Sequence, residues 1–278
     1  MSVSWRDQFQ LASKPFNYEV RFTLADYQST IDKYNNPEKK LGDDYYYEGM
    51  KVGEIWGYET EGFFTSQADI DSHAKQPYFY AGATAGQWLP GDIKFKDLNG
   101  DGVIDYGNNT VDNPGDQKII GNSEPRFIYG INLSGDWNNF FVSAFFQGVG
   151  KQDWWPGSEA SYFWGMYNRP YNDMPKSHLG NIWTEENPNT YFPRLRGYSS
   201  EEPYAELNLK QTRYLQNIAY IRMKNIQLGY TLPKSFISKL RMQNAKVYVS
   251  GENLWSWSPF YKYSKDLDVR RSEVLTGI

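Results

Sequence analysis

Residues 97–147 read DLNGDGVIDYGNNTVDNPGDQKIIGNSEPRFIYGINLSGDWNNFFVSAFFQ. In the second half of this stretch the odd positions carry Phe127, Tyr129, Ile131, Leu133, Gly135 and Trp137. The even positions carry Ile128, Gly130, Asn132, Ser134 and Asp136. A period of two puts the apolar residues on one face of a strand and mainly polar or small residues on the other. Asn138-Asn139 predicts a tight two-residue turn, because Asn tolerates the positive φ such turns require. The return strand then sets Phe140, Val142, Ala144 and Phe146 on one face. The hairpin fits equally a soluble core and a barrel wall against lipid.

The same alternation recurs outward from this hairpin. Phe16, Tyr18, Val20, Phe22 and Leu24 share a face, opposite Asn17, Glu19, Arg21, Thr23 and Ala25. Residues 2–9 alternate weakly. In a strand expected from about Tyr214 to Thr231, Ile221 and Met223 take one parity, and Ile226, Leu228 and Tyr230 the other. That switch implies a bulge or a change of surroundings along the strand. Residues 245–257 form the last strand, with Val247, Val249, Gly251, Trp255 and Trp257 on one side.

Six main strands are therefore expected, at 2–9, 16–27, 126–137, 140–149, 214–232 and 245–257. Their links alternate: 10–15, 138–139 and 233–244 are short, whereas 28–125, 150–213 and 258–278 are long. In an up-and-down meander this sorts every short link to one side and every long one to the other. Outer-membrane barrels show that asymmetry, with short periplasmic turns and long extracellular loops. A soluble sandwich has no physical reason to sort its links so. The fold expected is all-β, antiparallel up-and-down strands forming part of a transmembrane β-barrel. Inside the first long segment, 51–64 reads as a strand with glycine bulges, 66–75 as a short helix and 77–90 as irregular. Residues 234–240 read as a turn of helix.

Composition narrows the choice of function. A net charge of −4 offers no basic field for nucleic acid. Mean hydropathy is −0.72 and no run approaches the ~20 apolar residues a spanning helix needs; barrel strands, only half apolar, remain allowed. Aromatic residues make up 18% of the chain, which suits either interfacial girdles or a sugar-binding surface. With no cysteine, disulfides, thiol catalysis and Cys-ligated zinc are excluded. The two histidines, His73 and His178, are too few and too far apart in sequence to predict a histidine-rich metal site or a Ser-His-Asp triad. No leader peptide precedes Val3, so a membrane reading expects a missing N-terminus.

Several runs together resemble the C-terminal barrel of SusC/RagA-like TonB-dependent transporters. They are PGDIKFKDLNGDGVID (90–105), IIGNSEPRFIYGINLSGDWNNFFVSAFFQGVG (119–150), YIRMKNIQLGYTLPKSFISKL (220–240) and AKVYVSGENLWSWSPFYKY (245–263). The resemblance spans most of the chain in family order. It implies an outer-membrane importer of glycans or peptides, energised through TonB and lidded by a SusD-like surface lipoprotein. It also implies an N-terminal plug, earlier strands and a closing aromatic strand, none of which these residues supply. The chain is thus expected to be a portion of the barrel, at the bacterial outer membrane, with residues 28–125 and 150–213 as extracellular loops.

Two loop features carry candidate chemistry. Asp97, Asn99, Asp101 and Asp105 stand at positions 1, 3, 5 and 9 of an EF-hand-like loop. The Val103 carbonyl falls at position 7, and Gly102 at the sharp turn. Hard oxygen donors at alternate positions suit calcium in a structural role. The usual glutamate at position 12 is absent; Asn108 stands there, and Asp112 or Asp116 could complete the shell. The plain alternative is an Asx-rich turn without an ion. In the second long loop Trp154, Trp155, Trp164 and Trp183 are candidate substrate-stacking residues, against the plainer reading that they pack the loop or a partner lipoprotein. The acid pairs Asp43-Asp44, Glu185-Glu186 and Glu201-Glu202 read as solvated loop charges, so no enzyme is expected. The alternative to the transporter is a soluble or surface calcium-stabilised β module that binds carbohydrate.

Overall fold

Asn138 and Asn139 both take positive φ, 46° and 71°, and turn the chain back on itself in two residues. A second such turn joins the first two strands: Ala12 (47°) and Ser13 (63°) also adopt positive φ. Residues 10–15 are therefore not a polar link. The strands run to Leu11 and from Lys14, paired to the last residue. Neither Ala nor Ser favours that conformation, so sequence gave no turn signal there.

The computed structural model describes residues 1–77, 88–158, 160–168, 171, 173–196 and 205–262. The strands in chain order are β1 (Ser2–Leu11), β2 (Lys14–Ala25), β3 (Glu54–Tyr58), β4 (Thr60–Phe63), β5 (Ile93–Phe95) and β6 (Gln117–Asn122). They continue with β7 (Arg126–Trp137), β8 (Phe140–Lys151), β9 (Asp153–Trp154), β10 (Gln216–Asn217), β11 (Tyr220–Thr231) and β12 (Lys246–Trp257). The expected irregular stretch 77–90 lies mostly outside the described residues, as does the Glu201-Glu202 pair.

One compact unit is a six-stranded antiparallel sheet in the order β1-β2-β7-β8-β11-β12, open at both ends of that order. Its strands of 10 or 12 residues are long enough to cross a bilayer at a tilt, which takes about 9–11 residues. The register shows what the alternation amounts to. Directly opposed residues form apolar rows across the sheet, such as Val3–Phe22–Ile131–Phe146–Met223–Trp255. A neighbouring row runs Trp5–Val20–Leu133–Ala144–Ile226. Between them lies Ser4–Arg21–Asn132–Phe145–Asn225–Glu252 on the other face. The apolar face is exposed: Trp5, Phe22, Leu133, Val142, Leu228 and Val249 all stand open.

The parity switch in β11 is a bulge. Met223 opposes Phe146 and Asn225 opposes Phe145, so Lys224 is the extra residue. It brings Ile221 and Met223 onto the face that Ile226, Leu228 and Tyr230 occupy, which an unbroken strand could not do. Ala25, Arg126, Lys151 and Tyr220 lie at one end of the sheet, from which both long segments leave and to which both return. The two-residue turns lie at the other end. After Pro233, residues Lys234–Ile237 form a short helix, continued by a 3-10 turn over Ser238–Leu240.

The second unit comprises residues 28–124, 153–217 and the stretch from Phe260. Both long segments thus fold into one body with a core of its own, including Phe64, Ile93, Phe95, Ile104, Leu207 and Tyr214. Within it β3 pairs β6, β4 pairs β5 and β9 pairs β10, with irregular register in the first two pairs. Helix α1 (Gln67–Ser72) is capped by the Ser66 side chain, which accepts the N–H of Asp69. Residues 214–217 belong here and not to the sheet, a correction to the strand expected from Tyr214. Tyr214 is fully buried among aromatics, and Gln216 pairs with Trp154.

Candidate functional site

Towards the end that carries the two-residue turns, the polar face of the sheet holds a groove of about 860 Å³. Arg6 on β1 donates to Glu19 on β2 at 2.9 Å, and Arg21 reaches the other oxygen of the same carboxylate at 3.2 Å. Asn17 donates to Asp136 on β7 at 2.8 Å. Opposite charges set across adjacent strands hold the face in register while leaving it wet. Where β2 and β7 reach the end of the sheet, Arg126 grips Asp26 with two parallel N–H bonds, one of them 2.7 Å. A face of this composition suits an aqueous passage, as the opposite face suits lipid.

In the second unit, the five candidate calcium ligands lie in one tight loop. Asp97 accepts the N–H of Gly100 at 2.6 Å and of Gly102 at 2.9 Å. Asn99 accepts from Asp101, Asp101 from Val103 and Asp105 from Gly107. Asp116, flagged as an outlying ligand, is fully buried and accepts the N–H groups of Leu98, Asn99 and Asp105, so it is the post around which the loop winds. Burial raises its pKa despite those three donors. Among the described residues no three acidic, histidine or cysteine side chains are grouped as a metal site. A carboxylate has about four acceptor positions, so these N–H bonds leave oxygens able to take an ion.

The four candidate tryptophans are brought into one unit but not onto one surface. Trp164 is fully buried, its indole N–H donating to the Pro156 carbonyl at 2.8 Å and its ring against Phe163 and Tyr214. Trp155 lies edge-on to Trp164, and Trp154 edge-on to Phe163 and Phe260. Trp183 lies flat on the backbone at Gly91, where a Cβ would come within 2.3 Å of its ring. Trp154, Trp155 and Trp164 belong to a packed aromatic cluster with Phe163, Tyr167, Phe192 and His178, the last stacked on Phe192 at 4.1 Å. Burial holds His178 neutral, its pKa pushed down to about 4.

A buried charge cluster nearby in the same unit was invisible in the sequence. Asp92, fully buried, is gripped by Arg194 and lies 3.3 Å from Arg196, and it also accepts the Leu89 N–H at 2.8 Å. Glu206, also buried, accepts the Ile93 N–H at 3.0 Å through one oxygen, while its other oxygen has no hydrogen-bond partner among the described residues. Burial first, then the neighbouring Asp92, pushes the Glu206 pKa up to about 8. These residues are separated by up to 114 positions (92 to 206) and share no local spacing that could have announced them.

No protein-family model matches the chain. It is 29% identical over 213 residues to TonB-dependent receptor P3 of Formosa agariphila, covering 77% of this chain and 18% of that protein. TonB-dependent receptor P26 of the same organism matches at 29% over 217 residues, covering 76% and 19%. The chain therefore spans about a fifth of the length of these relatives. Among solved structures, the RagAB peptide transporter aligns with a TM-score of 0.57 at 17% identity, over 93% of this chain and 25% of that one. The RagAB peptide importer in its open-open state aligns with a TM-score of 0.55, also at 17% identity and over the same shares. At that identity the structural likeness speaks to the fold. The apolar and polar faces, the strand lengths and these likenesses agree: the sheet is part of an outer-membrane β-barrel, in a chain similar to the TonB-dependent receptors of Gram-negative bacteria.

Proposed function

We propose that the chain forms part of the wall and outer loops of a TonB-dependent importer that takes up glycans or peptides together with a SusD-like lipoprotein. The observation that carries the reading is the six-strand register, which places whole rows of apolar residues on one face and ion-paired polar residues on the other. A soluble carbohydrate-binding module would have to cover that apolar face; among the described residues it stands open. The function is transport and not catalysis. The relatives named are receptors, and the neighbour named is a peptide transporter. Calcium belongs to the reading as a structural ion on Asp97, Asn99, Asp101, the Val103 carbonyl and Asp105. The test is uptake of labelled oligosaccharides and peptides by cells with the gene intact, deleted, or lacking TonB, with affinity capture of the lipoprotein from the membrane. Uptake that survives both deletions would contradict it.

A further inference from the structure

The second unit holds a cavity of about 580 Å³, within the range of small-ligand sites, which neither the calcium loop nor the tryptophan cluster accounts for. Three stretches distant in sequence build it: the loop 41–50 with strand β3 that follows it, residues 106–117, and residues 208–210. They are tied together by backbone. Leu41 and Asn109 exchange hydrogen bonds at 2.8 and 2.9 Å. Tyr58 donates to the Lys210 carbonyl at 2.8 Å, and Thr212 returns a bond to Tyr58 at 3.0 Å. The approach depends on Gly57, since a Cβ there would stand 2.4 Å from the Lys210 carbonyl oxygen. The cavity is thus part of the framework and not a gap between loose loops.

Its lining combines flat rings with hydrogen-bonding groups and little unpaired charge. Tyr45 and Tyr106 line it and are 48% and 47% exposed. Trp56 forms wall, and Glu54 presents a carboxylate already positioned by the Tyr47 hydroxyl and the Lys51 N–H. Lys210 is neutralised by Asp43. A phosphate or carboxylate ligand would need free cations that this lining lacks. An extended peptide would need a strand edge, but β3 is flanked by β6 on one side and bridged to residue 211 on the other. A sugar ring needs an apolar face to stack and acceptors for its hydroxyls, and both are here.

We infer that this cavity is a binding site for a neutral saccharide, with Tyr45 and Tyr106 stacking on sugar C–H faces and Glu54 accepting hydroxyl hydrogen bonds. The inference rests on the import reading only in taking the saccharide to be cargo. The test uses the whole receptor that carries this chain, purified in detergent and titrated calorimetrically with neutral gluco-, xylo-, manno- and galacto-oligosaccharides. One series should bind, Tyr45→Ala and Tyr106→Ala should each weaken it about tenfold, and Tyr106→Phe, which keeps the ring, should stay within about twofold. Unchanged affinity in the Tyr45→Ala/Tyr106→Ala double variant overturns the site, as does binding of peptides alone or of no oligosaccharide. Cellular uptake separates the two ideas. Unimpaired saccharide uptake by the double variant removes the cavity and leaves import standing. Loss of binding in the variant, with normal uptake in a strain lacking the gene, keeps the cavity and removes import.

Discussion

Ile131 lies directly opposite Phe22 across the ladder between β2 and β7, while its neighbour Asn132 lies opposite Arg21 on the other face. Adjacent residues thus belong to two solvents. A lipid-facing cation costs about 2–4 kcal/mol at the bilayer midplane. Ile131→Arg should therefore cut the amount of folded receptor recovered from outer membranes sharply, whereas Asn132→Arg should leave it near normal. Heat-modifiable mobility on gels after membrane extraction reads the difference, and equal tolerance at the two positions would contradict the assignment of faces.

The loop unit carries two titrations of opposite sign. Glu206 has a pKa near 8 when folded, above its ordinary value of 4.5. The folded form then binds a proton the unfolded form has lost, so this contribution is full below about pH 4.5 and is lost as pH rises towards 8. His178 runs the other way: its folded pKa of about 4 lies below 6.5, so its contribution is present above 6.5 and is lost as pH falls towards 4. Between the two unfolded values they oppose each other; from pH 6.5 to 8, of these two, Glu206 alone acts. Protease resistance of the loop unit should fall over that window, and Glu206→Gln should flatten the fall. A wild-type profile that is flat from 6.5 to 8 would contradict this.

Calcium should bind the loop at Asp97–Asp105 and protect it from proteolysis, with magnesium much less effective because it demands tighter octahedral geometry. Crowded carboxylates repel unless a cation or full hydration screens them, and an ion would fix how the chain runs on towards Arg126. Calorimetric titration of the whole receptor should show a calcium heat that is missing in Asp97→Ala/Asp101→Ala. Identical titrations would leave an ordinary Asx-rich turn wound on Asp116.

What the sequence discloses here follows physical range. Alternation and turn chemistry act between near neighbours, so Phe127 to Phe146, with Asn138-Asn139 between, could be read as a hairpin, and the parity flip after Met223 allowed either a bulge or a change of surroundings, of which the register shows the bulge, at Lys224. The Ala12-Ser13 turn was missed because its positive φ is imposed by strand pairing on residues that do not seek it. Tyr214 to Asn217 look like the start of the barrel strand, but Tyr214 lies in a turn and Gln216-Asn217 pair with Asp153-Trp154 and not with the barrel sheet. The Asp92–Glu206–Arg194 cluster and the cavity at Tyr45 and Tyr106 join residues far apart along the chain. Such sites are made by tertiary contacts, and nothing in the local pattern foretells them.

The chain contains no cysteine, so with any cysteines elsewhere in the whole receptor replaced by serine, single cysteines placed in these strands report most directly on the membrane assignment. Single cysteines at Val20, Arg21, Phe22, Ile131, Asn132, Leu133 and Ser134 in the whole receptor, in native outer membranes, should alternate in their surroundings. Arg21, Asn132 and Ser134 variants should react with a water-soluble maleimide. The Val20, Phe22, Ile131 and Leu133 variants should resist it and, when labelled with a fluorophore, be quenched by brominated lipid. Uniform aqueous labelling along both strands, or quenching on the polar face, would show that this sheet does not divide lipid from water.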